Sequence, residues 1–155
     1  MQSSPSLPDN GATARVTRFV GIDPGHIKCG YAVVSAQGER LALEIVPTQR
    51  LTERLARDLN EANVQMICVG NATRSNEVVR MIQQKWPSAP VSLVNEYNTS
   101  LEARLRYYED HPPRGLWRLV PRGLLVPKAQ LDGYAALLII ERFRNASGDG
   151  AGPRP

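Results

Sequence analysis

Three acids stand where an apolar run gives way to a turn or opens into a helix. Asp23 ends the run Phe19–Ile22 and is followed at once by Pro24 and Gly25. Glu96 follows the short run Val91–Val94 in VNEYNTS, and Asp132 precedes a long apolar stretch in LDGYAALL. Carboxylates gathered in one place repel one another unless a cation neutralises them. Hard divalent ions such as Mg²⁺ or Mn²⁺ accept oxygen ligands of this kind. Two such ions about 3.5–4 Å apart clamp the attacking and leaving oxygens of a phosphodiester displacement. Taken singly, each acid has a plainer reading. Asp before Pro-Gly forms turns, Glu96 is a solvated acid, and Asp132 is a helix N-cap. The chemistry depends on the fold bringing all three together.

The elements between them make that convergence plausible on topological grounds. Arg18 to Val34, RFVGIDPGHIKCGYAVV, holds two β-rich runs joined by a Pro-Gly turn and reads as an antiparallel hairpin. Arg40–Val46 alternates as a third strand. From Gln49 to Asn63 the period changes: Leu51, Leu55, Leu59 and Ala62 share one helical face, with Arg54, Arg57 and Asp58 expected on the other. Val64–Gly70 is a continuous apolar strand. Ser75–Trp86 is a helix closed by Pro87, and Val91–Val94 is a strand. Thr99–Tyr108 is a helix whose Thr99 and Glu102 have capping-box spacing. Residues 110–128 are a proline-rich connection, and Ala129–Phe143 is an apolar last helix. The order β-β-β-α-β-α-β-α-α predicts an α/β chain with a five-stranded mixed sheet and helices on both faces, the ribonuclease H-like fold. In such sheets, strand ends and facing helix ends meet in one crevice.

The same three stretches resemble a known family. VGIDPGHIKCGYAVV is similar to the first motif of the YqgF/RuvX family and of the RuvC Holliday-junction resolvases. VNEYNTSLEAR resembles the family's Asp-Glu-Arg-x-[Ser/Thr]-[Ser/Thr]-x-x-Ala segment, and LDGYAALLIIERF its closing Val-Asp-[Asp/Ser]-x-Ala-Ala helix. The similarity spans roughly residues 18 to 144. It implies a ribonuclease H-like, divalent-metal-dependent nuclease acting on structured nucleic acid. Bacterial members are linked with maturing the 5′ end of pre-16S ribosomal RNA, and some are described as junction resolvases. Carried over by motif, Asp23, Glu96 and Asp132 are the metal-binding, catalytic acids. The chain departs from the pattern in three places. Asn95-Glu96-Tyr97 stands for Asp-Glu-Arg, Asp132-Gly133 for Asp-Asp, and Gly70-Asn71 where some relatives of the fold carry an acid. Three acids are a minimal set, so weak metal affinity and slow or Mn²⁺-preferring activity are expected.

Residues suited to a polyanion cluster in the same parts of the chain. Thr73 and Arg74, at a helix start after the strand ending at Gly70, are placed to hold a phosphate on free backbone N–H groups. Asn98 and Thr99 present a second helix start beside Glu96, and Lys28 sits in the opening hairpin. Each has a plainer reading as a cap or a solvated charge. Residues 110–128 carry Arg114, Arg118, Arg122 and Trp117, with no acid after Asp110. Basic side chains with an aromatic suit a phosphate backbone and one stacked base. The alternative is a proline-stiffened loop with Trp117 packed on the core.

Size and composition agree with one such domain. The 155 residues predict a domain over 17–144, with a disordered leader at 1–16 and tail at 145–155. Nineteen Lys and Arg against fifteen Asp and Glu give a charge of +4, which permits a nucleic-acid partner without requiring one. No apolar run approaches the roughly 20 residues of a membrane span, and the N-terminus lacks a signal-peptide core, so a cytoplasmic protein without membrane partners is expected. Cys29 and Cys68 lie in predicted strands without metal-ligand spacing and read as small buried hydrophobes. Monomer and homodimer both stay open; a resolvase needs a two-fold dimer. Two rivals remain: an actin-like ATPase or sugar kinase, for which the chain is short by a domain, and a binding module that has lost turnover.

Overall fold

The computed structural model describes residues 15–97, 99–121, 125 and 131–148. The opening hairpin is β1 (Thr17–Asp23) and β2 (Lys28–Ser35), and β3 (Arg40–Pro47) continues the meander. A short 3₁₀ turn leads into α1 (Leu51–Glu61), followed by β4 (Asn63–Gly70), α2 (Ser75–Lys85) and β5 (Val91–Val94). Two helices close the described chain, α3 (Thr99–Asp110) and α4 (Leu131–Ala146). The sheet order is β3-β2-β1-β4-β5, with β1 antiparallel to β2 and parallel to β4. This is the predicted ribonuclease H-like arrangement. The last helix runs past the expected boundary at 144, into a stretch expected to be tail. The rest of the expected tail, from 149, and the leader up to residue 14 lie outside the described residues.

Alternation along β1 and β2 sorts side chains to two faces. Val20, Ile22, Tyr31 and Val33 point one way and pack with Leu51 and Leu55 of α1 and Val78 and Ile82 of α2. Phe19, Ala32, Val34 and Cys68 point the other way, against Ala136, Leu137, Ile139 and Ile140 of α4. The long apolar run of α4 thus has a simple cause. One side faces the sheet, and the other, through Tyr134, Ala135 and Leu138, is covered by Ala103 of α3. α3 runs antiparallel to α4, as the pairs Glu102–Arg142, Arg106–Glu141 and Asp110–Tyr134 show. Both cysteines are buried and free, as expected.

One expectation fails on α1. Asp58, assigned to the solvated face, is only 2% exposed. Its carboxylate accepts from the Tyr31 hydroxyl at 2.7 Å, from Arg54 at 2.6 Å and from Arg18 at 3.2 Å. Arg54 also reaches Glu44 at 3.1 Å and lies over the Tyr31 ring at 4.6 Å. The cause is Tyr31, whose hydroxyl emerges inside the α1–sheet interface and requires an acceptor there. Burial and the Asp58 charge push the Tyr31 hydroxyl far above its ordinary pKa, so it stays a donor.

Candidate functional site

Asp23 is the last residue of β1 and shares the face of Phe19, the face that α4 covers. Its cross-strand partner is Gly30 of β2. A Cβ on Gly30 would overlap the backbone oxygen of Asp132 and lie 3.1 Å from the Asp23 Cβ. The missing side chain is therefore what lets the first turn of α4 descend onto the hairpin and set Asp132 beside Asp23. Gly70, at the end of β4, does the same for the third acid. A Cβ there would stand 2.5 Å from Oε2 of Glu96 and 2.7 Å from Cδ1 of Ile139. Neither glycine was singled out from sequence for this role, although glycine inside a strand is a known mark of close approach.

The hairpin tip that follows Asp23 is held from below. The Thr48 hydroxyl donates to the Gly25 carbonyl at 3.1 Å, and the Thr48 N–H to the Ile27 carbonyl at 2.9 Å. Arg74, before α2, donates to the His26 carbonyl at 3.3 Å. These bonds fix where the strand ends and hence where the Asp23 carboxyl emerges.

Asp23 is half-buried and its carboxyl hydrogen-bonds that of Glu96. Its pKa is pushed up to about 7, first by burial, then by the negative charges of Glu96 and Asp132, then by that hydrogen bond. Asp23 therefore holds a proton more tightly than an ordinary aspartate does. Asp132 acts on Asp23 through its charge, while its own Oδ2 is 2.9 Å from Nζ of Lys28, at the start of β2. The crevice thus joins Asp23 and Glu96 directly and holds Asp132 alongside, paired with an internal cation. Among the described residues no three carboxylate, imidazole or thiolate groups stand together as a ready coordination set. The donor chemistry nevertheless fits a hard divalent ion: all-oxygen ligands, neighbouring negative charges that a cation would neutralise, and an ammonium already drawn to the third acid.

The other sequence candidates separate. Thr73 is exposed, and Arg74 forms an ion pair with Glu77 of α2 in addition to its bond to the hairpin tip. Ser75, the first residue of α2, donates its hydroxyl to the Ala72 carbonyl at 2.7 Å. Thr99 opens α3, whereas Asn98 and Arg122 lie outside the described residues. Residues 110–128 are not wholly structureless: Gly115–Leu119 forms a 3₁₀ turn. Trp117 is 66% exposed and not packed on the core, and Arg114 and Arg118 are exposed beside it.

Comparison with solved structures places this fold. Thermus thermophilus RuvC in complex with a Holliday junction substrate matches over 86% of this chain and 97% of its own, with a TM-score of 0.51 and 17% identity. Thermus thermophilus RuvC alone matches over 85% of this chain and 97% of its own, with a TM-score of 0.52 and 18% identity. No protein-family model and no curated protein matches the sequence. At these identities the likeness establishes a shared ribonuclease H-like fold.

Proposed function

We propose that this protein is a divalent-metal-dependent nuclease that hydrolyses phosphodiester bonds in structured nucleic acid. The observation that carries the reading is the carboxyl pair Asp23–Glu96, at the end of β1 and beyond the end of β5, which flank β4, with Asp132 close enough to raise the Asp23 pKa. Likeness in fold to RuvC, one structure of which holds a Holliday junction substrate, supports it. So does the resemblance of the three acid-bearing motifs to the YqgF/RuvX and RuvC families.

Asp23 and Glu96, with Asp132, are the residues that would hold Mg²⁺ or Mn²⁺. When bound, such ions supply Lewis-acid polarisation of a phosphoryl oxygen and an acidified water. The chain's own groups do the rest. Asp23, where protonated, would lose that proton to solvent, and the strand ends orient its carboxylate and that of Glu96. Glu96, beside Asp23, would orient an attacking water. Lys28, once released from Asp132, is a cation at the mouth of the crevice for a non-bridging phosphate oxygen.

The resemblance to YqgF/RuvX points, more finely, to 5′-end processing of pre-16S ribosomal RNA. Branched DNA is the second reading, favoured by the junction-bound RuvC structure. The deciding assay offers structured pre-16S RNA, single-stranded DNA and a four-way junction, with Mg²⁺ or Mn²⁺, to wild type and Asp23→Asn. Metal-dependent cleavage lost in Asp23→Asn is expected, and the preferred substrate separates the two readings. Cleavage that survives Asp23→Asn, or none with any substrate and either ion, would overturn the nuclease assignment in favour of a binding module.

A further inference from the structure

The 3₁₀ turn Gly115–Leu119 exposes an unusual amount of apolar side chain for its length. Leu116 and Leu119 are each 83% exposed and Trp117 66%, all within five residues. Gly115 sits at φ +63°, a left-handed conformation that glycine adopts without strain, and it aims the turn outward. Pro112, Pro113 and Pro121 flank it and limit its freedom, so little further ordering is needed to present it to a partner.

On its N-terminal side the turn follows α3, whose end is pinned to α4. α3 finishes at Asp110, whose carboxylate accepts from the Tyr134 hydroxyl at 2.9 Å and from Arg40 at 2.7 Å. Tyr134 belongs to α4, the helix whose first turn carries Asp132. The five residues from Asp110 to Gly115 reach at most about 17 Å, roughly five nucleotide steps along a strand. The flanking charge is of one sign. Arg114 and Arg118 are exposed, neither is ion-paired among the described residues, and the run from His111 to Pro121 contains no acid.

We infer that this turn is a wedge that enters a break in base stacking, with Trp117 stacking on the exposed base and Arg114 and Arg118 holding the phosphates on either side. The preferred partner is then a nucleic acid with an interrupted stack, such as a branch, fork or bulge, over a continuous duplex. This deepens the nucleic-acid reading above and rests on it. A second copy of the chain fits less well: a stable dimer covers about 800 Å² per partner, more than three side chains on a five-residue turn provide. Two exposed guanidinium groups without an ion pair among the described residues also call for a polyanion.

The test measures binding by fluorescence anisotropy in EDTA, so that nothing is cut. The probes are a DNA four-way junction, a bulged RNA stem and continuous duplexes of matched sequence. Wild type is expected to bind the interrupted probes more tightly than the duplexes. Trp117→Ala should lose about 5- to 100-fold on them and change less than twofold on the duplexes, while Trp117→Phe keeps the preference. Arg114→Ala with Arg118→Ala should weaken all probes and flatten the salt dependence. Which interrupted probe is favoured distinguishes RNA from DNA. Equal losses on interrupted and continuous probes, or no loss in Trp117→Ala, overturns the wedge. So does a wild-type dimer in sedimentation that Trp117→Ala dissociates. A parallel cleavage assay keeps the two proposals apart. Cutting without preference for interrupted probes removes the wedge and leaves the nuclease. Preference without cutting removes the nuclease and leaves the wedge.

Discussion

Replacing Asp23 by Asn should make the metal-free protein more stable while destroying its proposed activity. In the folded state the Asp23 pKa is about 7 against an ordinary 3.8, because the carboxyl is buried beside Glu96 and Asp132. The sign follows from proton linkage. The native state holds the proton more tightly than the unfolded chain, so stability falls as pH rises from about 3.8 to about 7, and the full penalty applies above that. At about 1.4 kcal/mol per pH unit the displacement is worth about 4 kcal/mol at pH 8, and less than half of that at pH 5. The Asn amide stays neutral at both pH values and still donates to Glu96, so most of the penalty is relieved. A gain of about 2–4 kcal/mol corresponds to roughly 5–10 °C in Tm for a domain of this size. Thermal melts in EDTA at pH 5 and pH 8 measure it. The Asn variant should melt well above wild type at pH 8 and only slightly above it at pH 5. Mn²⁺ should raise the wild-type Tm at pH 8 and leave the variant nearly unmoved, because the cation relieves the same repulsion. Equal Tm differences at the two pH values would show that the carboxyls do not share a crevice as described.

Other perturbations probe the surroundings of that pair. Lys28→Met removes the ammonium at 2.9 Å from Asp132; since exposed ion pairs are worth at most about 1 kcal/mol, calorimetry should show Mn²⁺ binding a few-fold tighter, and weaker binding would show that Lys28 does not compete for the acid. Gly30→Ala places a methyl group against the Asp132 backbone, which should cost about 1–3 kcal/mol in urea unfolding and abolish cleavage by lifting α4; full activity would mean that α4 does not rest there. Asp58→Ala leaves Arg18 and the Tyr31 hydroxyl without their acceptor in the interface under α1, with an expected loss of about 3 kcal/mol and unchanged cleavage per folded molecule. A stability change below about 1 kcal/mol in that variant would mean water already serves those groups.

Element order and type were legible because they are local. Hydrophobic period, Pro-Gly turns and the apolar run of the last helix each reflect neighbours a few residues apart, and the hairpin, β5 and the start of α2 fall where the pattern puts them. The positions of Asp23, Glu96 and Asp132 at strand and helix ends were legible for the same reason. Asp58 was not, because its burial depends on where the Tyr31 hydroxyl emerges, twenty-seven residues earlier in the chain. Nor were the parts played by Gly30 and Gly70, since a glycine in a strand says that something comes close without saying what.

The amino-acid sequence by itself thus determined a mixed sheet with three acids at its element ends, since period and turn chemistry act over a few residues. Only the tertiary structure decided that two of those acids pair carboxyl to carboxyl, that the third is paired with Lys28, and that Trp117 faces solvent. Those outcomes depend on how deeply α4 settles onto the sheet and where it meets residues about a hundred positions away. Electrostatic coupling and burial vary with distances in space, which no local spacing encodes.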